Sequence, residues 1–509
     1  EPAHCVAIQN FTIGPGYRRS ALFPAMTSHR QVFRSSAIIG GASVINMIIS
    51  IVKVKVLAVL LGPAGIGLMG LYQNIMGVSS VLAGCGIGRS GVRQVAASAD
   101  DAETLSIVRR ALWSGNLILG LSGMTVLWLS REPVARWVFE DSAHTSEVGW
   151  LGVGVLLTII AGSQTALLQG LRRINDLARI SIVSALVAAA TGILAVYLLG
   201  EDGVLWFVLT APAVNYVVAS YYTAHLPRPQ TAYDMGAIQQ QWRAMLKLGI
   251  PLMSAASVTL ITQLAVRSFV LRELGLDASG YFQAAWAISM IYVGLVLNAM
   301  VVDYYPRLTK AISHHERASK LVNEQAEMAL LLAGPVLMAM ITLAPWVIHL
   351  LYTQNFSPAV EILRWQVLGD IFKVASVPVV YIFLATGHGG VAIVTQLVWS
   401  AAYLAPVVLG IREYGLVIAG FGFWVAYLSY YLVVAIVANR LIGFKLTQRN
   451  WRFTLLLLLA GGITMSLAAQ STIAGHAIGT VATLLVSVYS FRRLDHLIGL
   501  TGWLRQKFL

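Results

Sequence analysis

Residues 177–199 read LARISIVSALVAAATGILAVYLL, twenty-three positions with a single charge, Arg179, near one end. A helix needs about 20 apolar residues to cross a bilayer. A membrane-barrel strand needs about 9–11 residues, with apolar and polar positions alternating. This run is continuous and does not alternate, so it reads as a transmembrane helix. The chain around it is of the same kind. Its 509 residues are 57% hydrophobic and 11% charged, with a mean hydropathy of +0.74. Soluble domains carry about 25% charged residues. No stretch here is polar enough to coat a soluble surface, so an integral membrane protein is expected and no nucleic-acid partner. Two cysteines, Cys5 and Cys85, suit neither a disulfide framework nor a structural zinc site.

Hydropathy places spans at 36–61, 68–92, 111–129, 149–170, 178–199, 204–224, 245–271, 281–302, 325–348, 362–386, 391–411, 416–438, 453–470 and 474–491. Orientation follows from Lys and Arg. With the N-terminus in the cytoplasm, 26 of the 35 basic residues fall at cytoplasmic ends. Four (Arg131, Arg136, Arg272, Arg412) fall in outer loops, and five (Lys53, Lys55, Arg267, Arg364, Lys373) lie inside spans. The asymmetry predicts an even number of helices with both termini in the cytoplasm. Much of the net charge of +13 is therefore orientation against anionic lipid. Residues 1–25 lack the apolar core of a signal peptide. Met26 reads as a natural start, with 1–25 an extension outside the fold. The stretch Arg492–Leu509 alternates basic and apolar residues, as an interfacial amphipathic helix or a frayed tail would.

One internal repeat stands out. Leu61-Gly62-Pro63-Ala64-Gly65-Ile66-Gly67 matches Leu274-Gly275-Leu276-Asp277-Ala278-Ser279-Gly280 at an offset of 213. Six helices precede the polar loop 225–244, so both halves have the same orientation. A parallel repeat of this kind places the substrate cavity between the halves. The expected fold is all-α and polytopic: about 14 transmembrane helices, two six-helix bundles related by a parallel repeat around a central cavity, and a C-terminal helix pair. The divisions are a cytoplasmic extension (1–35), a first bundle (36–224), a cytoplasmic linker (225–244), a second bundle (245–440), and the extra pair with its tail (441–509).

Several motifs carry no chemistry. Gly65-Ile66-Gly67-Leu68-Met69-Gly70 has the letters of a dinucleotide fingerprint but links two spans instead of a strand and a helix. No Walker sequence exists. His314-His315-Glu316 lies in a charged loop, and adjacent histidines do not share a helix face. No metal and no cofactor are expected. Outer loops of no more than about 20 residues leave little room for an external catalytic domain, so the chain is not read as an enzyme.

A charge at the centre of a span costs about 2.5–3.5 kcal/mol on insertion scales, so it defaults to a function. Ser43, Asn46, Ser50 and Lys53 follow at i, i+3, i+7 and i+10, one polar stripe on the first span. Lys53 is expected to face a hydrated cavity. Lys55, two residues on, points to another face and sits about 9 Å from the helix end, against about 12 Å for Lys53. Arg267 falls, by the offset of 213, between them. Two cations facing each other across a cavity repel unless an anion joins them. A phosphate-bearing substrate would meet that need, and Arg suits phosphate. Snorkelling, or a local partner such as Glu273, is the plainer reading for Arg267. In the tenth span, Gln366, Asp370 and Lys373 share a face at i, i+4 and i+7. Asp370 and Lys373 can pair, either as structure alone or as a group that exchanges a proton or cation during transport. Asp303 and Arg307, at the cytoplasmic end of the eighth span, and Arg93 near the equivalent position, are candidates for the inner cavity mouth, with positive-inside anchoring as the alternative.

These residues carry a resemblance. Lys55 with Leu61–Gly67, Leu82–Ile87, Tyr305-Pro306-Arg307-Leu308 and above all Trp365–Val374 resemble Wzx-type lipid-linked oligosaccharide flippases of the polysaccharide transport family, part of the MATE-like MOP exporter superfamily. Those for enterobacterial common antigen and O-antigen are the most similar. The resemblance runs from about Ser36 to Arg440. It implies two bundles around a cavity that opens alternately to either side of the bacterial inner membrane. It also implies an undecaprenyl-pyrophosphate-linked oligosaccharide as cargo, with polysaccharide polymerase machinery as a further partner. Lys55, Arg267, Asp370 and Lys373 fall on basic or tenth-helix positions of the family; Lys53 does not. Alternatives are a cation-coupled multidrug exporter or lipid II flippase of the same superfamily, the latter favoured by the extra helix pair. A membrane glycosyltransferase or polymerase, and a scaffold without transport, are the alternatives of other classes. The first six spans contain no carboxylate, which favours an anionic cargo over cationic drugs.

Overall fold

The computed structural model describes residues 26–226, 234–469 and 473–499; the side chains of residues 26–37, 39, 252, 295, 296 and 298–303 and of a few positions at the ends of the last two helices are not described. The elements are α1 (Met26–Gly84), α2 (Ile87–Ala97), α3 (Ala102–Leu129), α4 (Arg131–Phe139), α5 (Thr145–Gly170), α6 (Ile174–Leu199), α7 (Gly203–Ala224), α8 (Met235–Leu274), α9 (Leu276–Ala311), α10 (His315–Leu351), α11 (Ala359–Ala385), α12 (Gly389–Tyr414), α13 (Val417–Ile442), α14 (Gln448–Ala469) and α15 (Ile473–Ile498). In a bilayer every backbone polar group must be satisfied internally, and helices do so within one segment. Among the described residues ten helical stretches are long and apolar enough to cross a membrane, and two of them, Gly40–Gly84 and Ile174–Ala224, each hold two arms.

The expected spans all fall on helical arms, with three differences. The second span ends early: the chain leaves α1 at Gly84, turns through Cys85 (φ 47°) and Gly86 (φ 69°), and forms the short α2. A second short helix, α4, follows α3. Helix α8 starts at Met235, ahead of the expected 245, because Asp234 caps it by accepting from the Gly236 and Ala237 amides at 2.9 and 3.1 Å.

The repeat is written in the backbone. Gly62 (φ 63°, ψ −167°) folds α1 into two arms, and Gly275 (φ 86°, ψ 176°), 213 residues later, makes the same break between α8 and α9. Only glycine adopts a positive φ with extended ψ without strain. The first half packs α1, α3, α5, α6 and α7 together, and the second packs α8 to α13. Helices α14 and α15 lie against α10. There the buried Glu327 accepts from Arg449 and, at 2.9 Å, from Arg493, while Asn323 bonds the backbone of Lys445 and Thr447. Arg493 is thus turned inward and is not part of an interfacial tail; residues 500–509 lie outside the described residues.

The apolar cores differ between the two ends. At the end bearing the Gly62 and Gly275 turns, one core runs across both halves, from Leu57, Ile66 and Leu71 to Val266, Phe282 and Ala285. At the opposite, arginine-rich end there are two separate cores. One holds Val108, Leu168 and Met245, and the other Leu308, Val322 and Phe383. The halves are welded at the turn end; at the basic end the start of α8 joins the core of the first half, backbone to backbone at Gly86 and Gly249, and the rest of the second half keeps a core of its own.

Candidate functional site

The weld is made by small residues. Where lipid removes the hydrophobic incentive, helices join by close packing of small side chains. A Cβ on Gly67 would stand 2.6 Å from the Leu276 carbonyl oxygen, and one on Gly280 would overlap the Pro63 carbonyl. The two copies of the repeated motif therefore lie against each other, backbone to backbone.

Lys55 reaches across this seam. Its ammonium donates to the carbonyls of His349, at 2.9 Å, and Tyr352, at the end of α10. Those are the carbonyls a helix leaves without intrahelical partners, at its negative end. The opposite half returns the bond: Ser268 Oγ donates to the carbonyls of Trp137 and Val138, at 3.1 and 3.0 Å, at the end of α4. Ser268 stands 213 residues after Lys55. The repeat-related first helix of each half thus caps the far end of the other. Ser268 was missed in the sequence, although the offset that selected Arg267 names it.

Arg267 is buried, 4% exposed, and does not face Lys53 across an open cavity. It donates to Gln283 Oε1, lies 5.6 Å from the Phe282 ring, and packs on Gly70, where any Cβ would collide with the guanidinium. Glu273 is not its partner; that carboxylate holds Arg412 in two bonds of 2.8 and 2.9 Å. Gln283 carried no signal in the sequence.

Lys53 faces elsewhere, as its place two residues from Lys55 requires. It lines a cavity of about 520 Å³ inside the first half, between both arms of α1 and helices α5, α6 and α7. Asn46 and Ser50, the rest of its stripe, line it too, with Gln73, Thr158 and Asn215. Asn46 Nδ2 donates to Ser181 Oγ at 2.6 Å, while Asn46 Oδ1 and Ser184 Oγ are buried without partners among the described residues. Lys53 Nζ stands 5.7 Å from the Phe207 ring. None of the lining residues is acidic. Amides, hydroxyls and one ammonium around an open volume can hold an anion. The structure therefore separates the three cations of the expected clamp: Lys53 in the cavity, Lys55 and Arg267 on the seam.

Inside the second half, Asp370 is fully buried on α11. It accepts from Ser289 Oγ and Tyr292 Oη, both at 2.6 Å and both on α9, and lies 3.7 Å from Lys373 Nζ. The rings of Tyr427 and Phe423 close over the ammonium at 5.4 and 5.9 Å. Gln366, one turn away and fully buried, has no partner on either amide atom among the described residues. The stripe Gln366, Asp370, Lys373 is one face, as its spacing requires, but Ser289 and Tyr292 could not be read from sequence. Neither could the role of Arg364, which donates to the Ile341 carbonyl at 3.2 Å. Arg93, on α2, and Arg307, on α9, are both exposed at the basic end. The Asp303 side chain lies outside the described residues.

The profile of the family described as "Polysaccharide biosynthesis protein" matches residues 56–361. The chain belongs to this family. The matched region contains the seam and Arg267, begins just after Lys55, and ends before Gln366. The chain is 25% identical over 344 residues to the Lipid III flippase of Escherichia coli (strain K12), a match that covers 65% of this chain and 80% of the relative. It is 22% identical over 374 residues to the succinoglycan biosynthesis transport protein ExoT of Rhizobium meliloti (strain 1021), covering 72% and 70%. In fold it is similar to the lipid II flippase MurJ in its inward closed conformation. The TM-score there is 0.68, with 12% identity over 91% of this chain and 99% of that one. An inward-facing multidrug resistance MATE transporter of the MOP superfamily gives 0.59, with 16% identity over 79% and 94%. These two likenesses establish the architecture, a multi-pass transporter fold.

Proposed function

We propose that the chain is a flippase of the bacterial inner membrane. It moves an undecaprenyl-pyrophosphate-linked oligosaccharide, of O-antigen or common-antigen type, from the cytoplasmic to the periplasmic leaflet by alternating access. Both termini are cytoplasmic in this reading, and the delivered unit supplies polysaccharide polymerase machinery. The observation that carries it is the single core at the turn end against two cores at the basic end, in a chain similar to a Lipid III flippase. With one continuous core at the turn end and two cores at the basic end, the molecule parts more readily at the basic end, which is where cargo would enter. The basic end is the cytoplasmic one by the excess of Lys and Arg there.

In this reading Lys53, Asn46 and Ser50 take the pyrophosphate. Lys55 and Arg267 latch the periplasmic side shut and meet cargo only when the seam parts. Gln366, Asp370 and Lys373 form the coupling group, tied by Ser289 and Tyr292 to α9, a helix of the seam. Arg93, Asp303 and Arg307 rim the cytoplasmic mouth. The test is reconstitution: vesicles loaded with the lipid-linked oligosaccharide, with sugar exposed on the far leaflet read by a lectin. The chain should raise exposure above empty vesicles, and a zwitterionic phospholipid probe should not move. Equal movement of both lipids, or extrusion of a cationic drug in place of the sugar, overturns the reading.

A further inference from the structure

A second cavity, of about 770 Å³, opens at the basic end of the first half. Its walls are α3, α5, α7 and the first turns of α8, which belongs by sequence to the second half. Trp242 on α8 fixes that wall. Its indole donates to the Ala111 carbonyl at 2.8 Å, and Gly115 leaves room for the ring.

The cavity has two kinds of surface. One side presents Arg109 and Arg110 with Ser106, Ser163, Gln164 and Ser220. Gln164 Nε2 donates to Ser220 Oγ at 2.7 Å, and its buried Oε1 has no partner among the described residues. Arg109 also donates to the Thr223 carbonyl at 3.0 Å, which fixes its guanidinium. None of the described lining residues is acidic. The other side is apolar and leads out along α3 through Trp113 and Ile118, 47% and 53% exposed. Ile118 lies about 14 Å along the helix from Arg109, a depth that belongs to hydrocarbon.

The geometry points to a binding site for the phosphate headgroup of an anionic lipid, with its chain along Trp113 and Ile118. Two adjacent guanidinium groups, with the Ser220 hydroxyl on the same side, suit phosphate oxygens. A free anion would leave the apolar strip unused, and a headgroup without negative charge would not draw on two adjacent cations. A bulk anionic phospholipid and a polyprenyl phosphate share this chemistry. The site does not depend on what the chain transports. Because α8 closes it, an occupant touches both the first half and the helix that leads into the second.

The test is lipid retention by the intact purified chain, counted by native mass spectrometry from mixed micelles of phosphatidylglycerol and phosphatidylcholine. The wild type should retain phosphatidylglycerol about thirtyfold over phosphatidylcholine, about 2 kcal/mol for the two arginines together. Arg109→Gln/Arg110→Gln should erase the preference. Ala224→Trp, which puts an indole into the cavity and leaves both arginines, should lower it and stands alone if the double variant does not fold. Undecaprenyl phosphate displacing phosphatidylglycerol assigns the site to the carrier; failure to displace assigns it to bulk lipid; both sustain an anionic lipid. No preference in the wild type, an unchanged preference in Ala224→Trp, or displacement by millimolar inorganic phosphate overturns the proposal.

Discussion

Inside the first half, Lys53 looks onto an open cavity of about 520 Å³ walled by amides and hydroxyls. Inside the second half, Lys373 looks onto Asp370 at 3.7 Å and is covered by aromatic rings. The two halves share a backbone plan, down to the matched breaks at Gly62 and Gly275, and have opposite ways of tolerating a cation within the membrane. One supplies room and neutral donors, and the other supplies a counter-charge and no room. An unbalanced cation beside space is suited to receiving an anion from outside. A balanced pair on one helix, bonded to Ser289 and Tyr292 of the next, is suited to moving a proton or ion and so to changing how those helices pack. On the proposed function, the duplicated fold divides recognition and coupling between its copies.

The largest expected effect breaks the balanced side. Lys373→Met leaves Asp370 buried with only the neutral Ser289 and Tyr292 donors, and removing one partner of a buried pair costs about 3–5 kcal/mol. Thermal unfolding in detergent should show that loss, and Asp370→Asn/Lys373→Met should regain most of it while remaining inactive in transport. A double variant that transports would reduce the pair to scaffolding.

The seam, where the halves remain alike, should respond next. Gly280→Ala places a methyl on the Pro63 carbonyl, and overpacking of this kind costs about 1–3 kcal/mol. Backbone amides around Gly67 and Gly280 should exchange hydrogen faster in the variant, and unchanged exchange would show that the seam is not the closed gate. Below that lie the two crossed caps. A hydrogen bond from a charged donor is worth about 1.5–3 kcal/mol and a neutral one about 0.5–1.5. Lys55→Met should therefore loosen the turn end more than Ser268→Ala, read by exchange at residues 349–356 and 137–140 respectively. Equal effects would mean that charge adds nothing there.

How much of this was visible in the sequence follows the same division. The bilayer demands long apolar runs, so the spans were legible, as was the repeat, because a positive-φ break and close backbone contact both require glycine at 62, 67, 275 and 280. Faces were legible too: Lys53 and Lys55, two residues apart on one helix, do point to different neighbours. What each face meets was not. Gln283, Ser289 and Tyr292 acquire their roles from the rotation of α9 against α8 and α11, which no spacing within one helix encodes. The expected convergence of Lys53, Lys55 and Arg267 failed for that reason. Equal depth in two related helices says nothing about whether a seam lies closed between them. The short helices α2 and α4 were missed because neither has the length of a span.

The smallest effect on stability and the largest on recognition should come from Lys53→Gln, which removes a charge that has a cavity and no counter-ion among its lining. The decisive measurement is equilibrium binding of the lipid-linked oligosaccharide to Lys53→Gln and Asp370→Asn, side by side, in nanodiscs whose bulk lipid includes phosphatidylglycerol. Lys53→Gln should weaken binding at least about tenfold, about 1.4 kcal/mol, with an unchanged melting temperature. Asp370→Asn should bind within about twofold of wild type and fail to transport. Wild-type binding by Lys53→Gln, or an equal loss in both variants, would contradict the division of recognition and coupling between the halves.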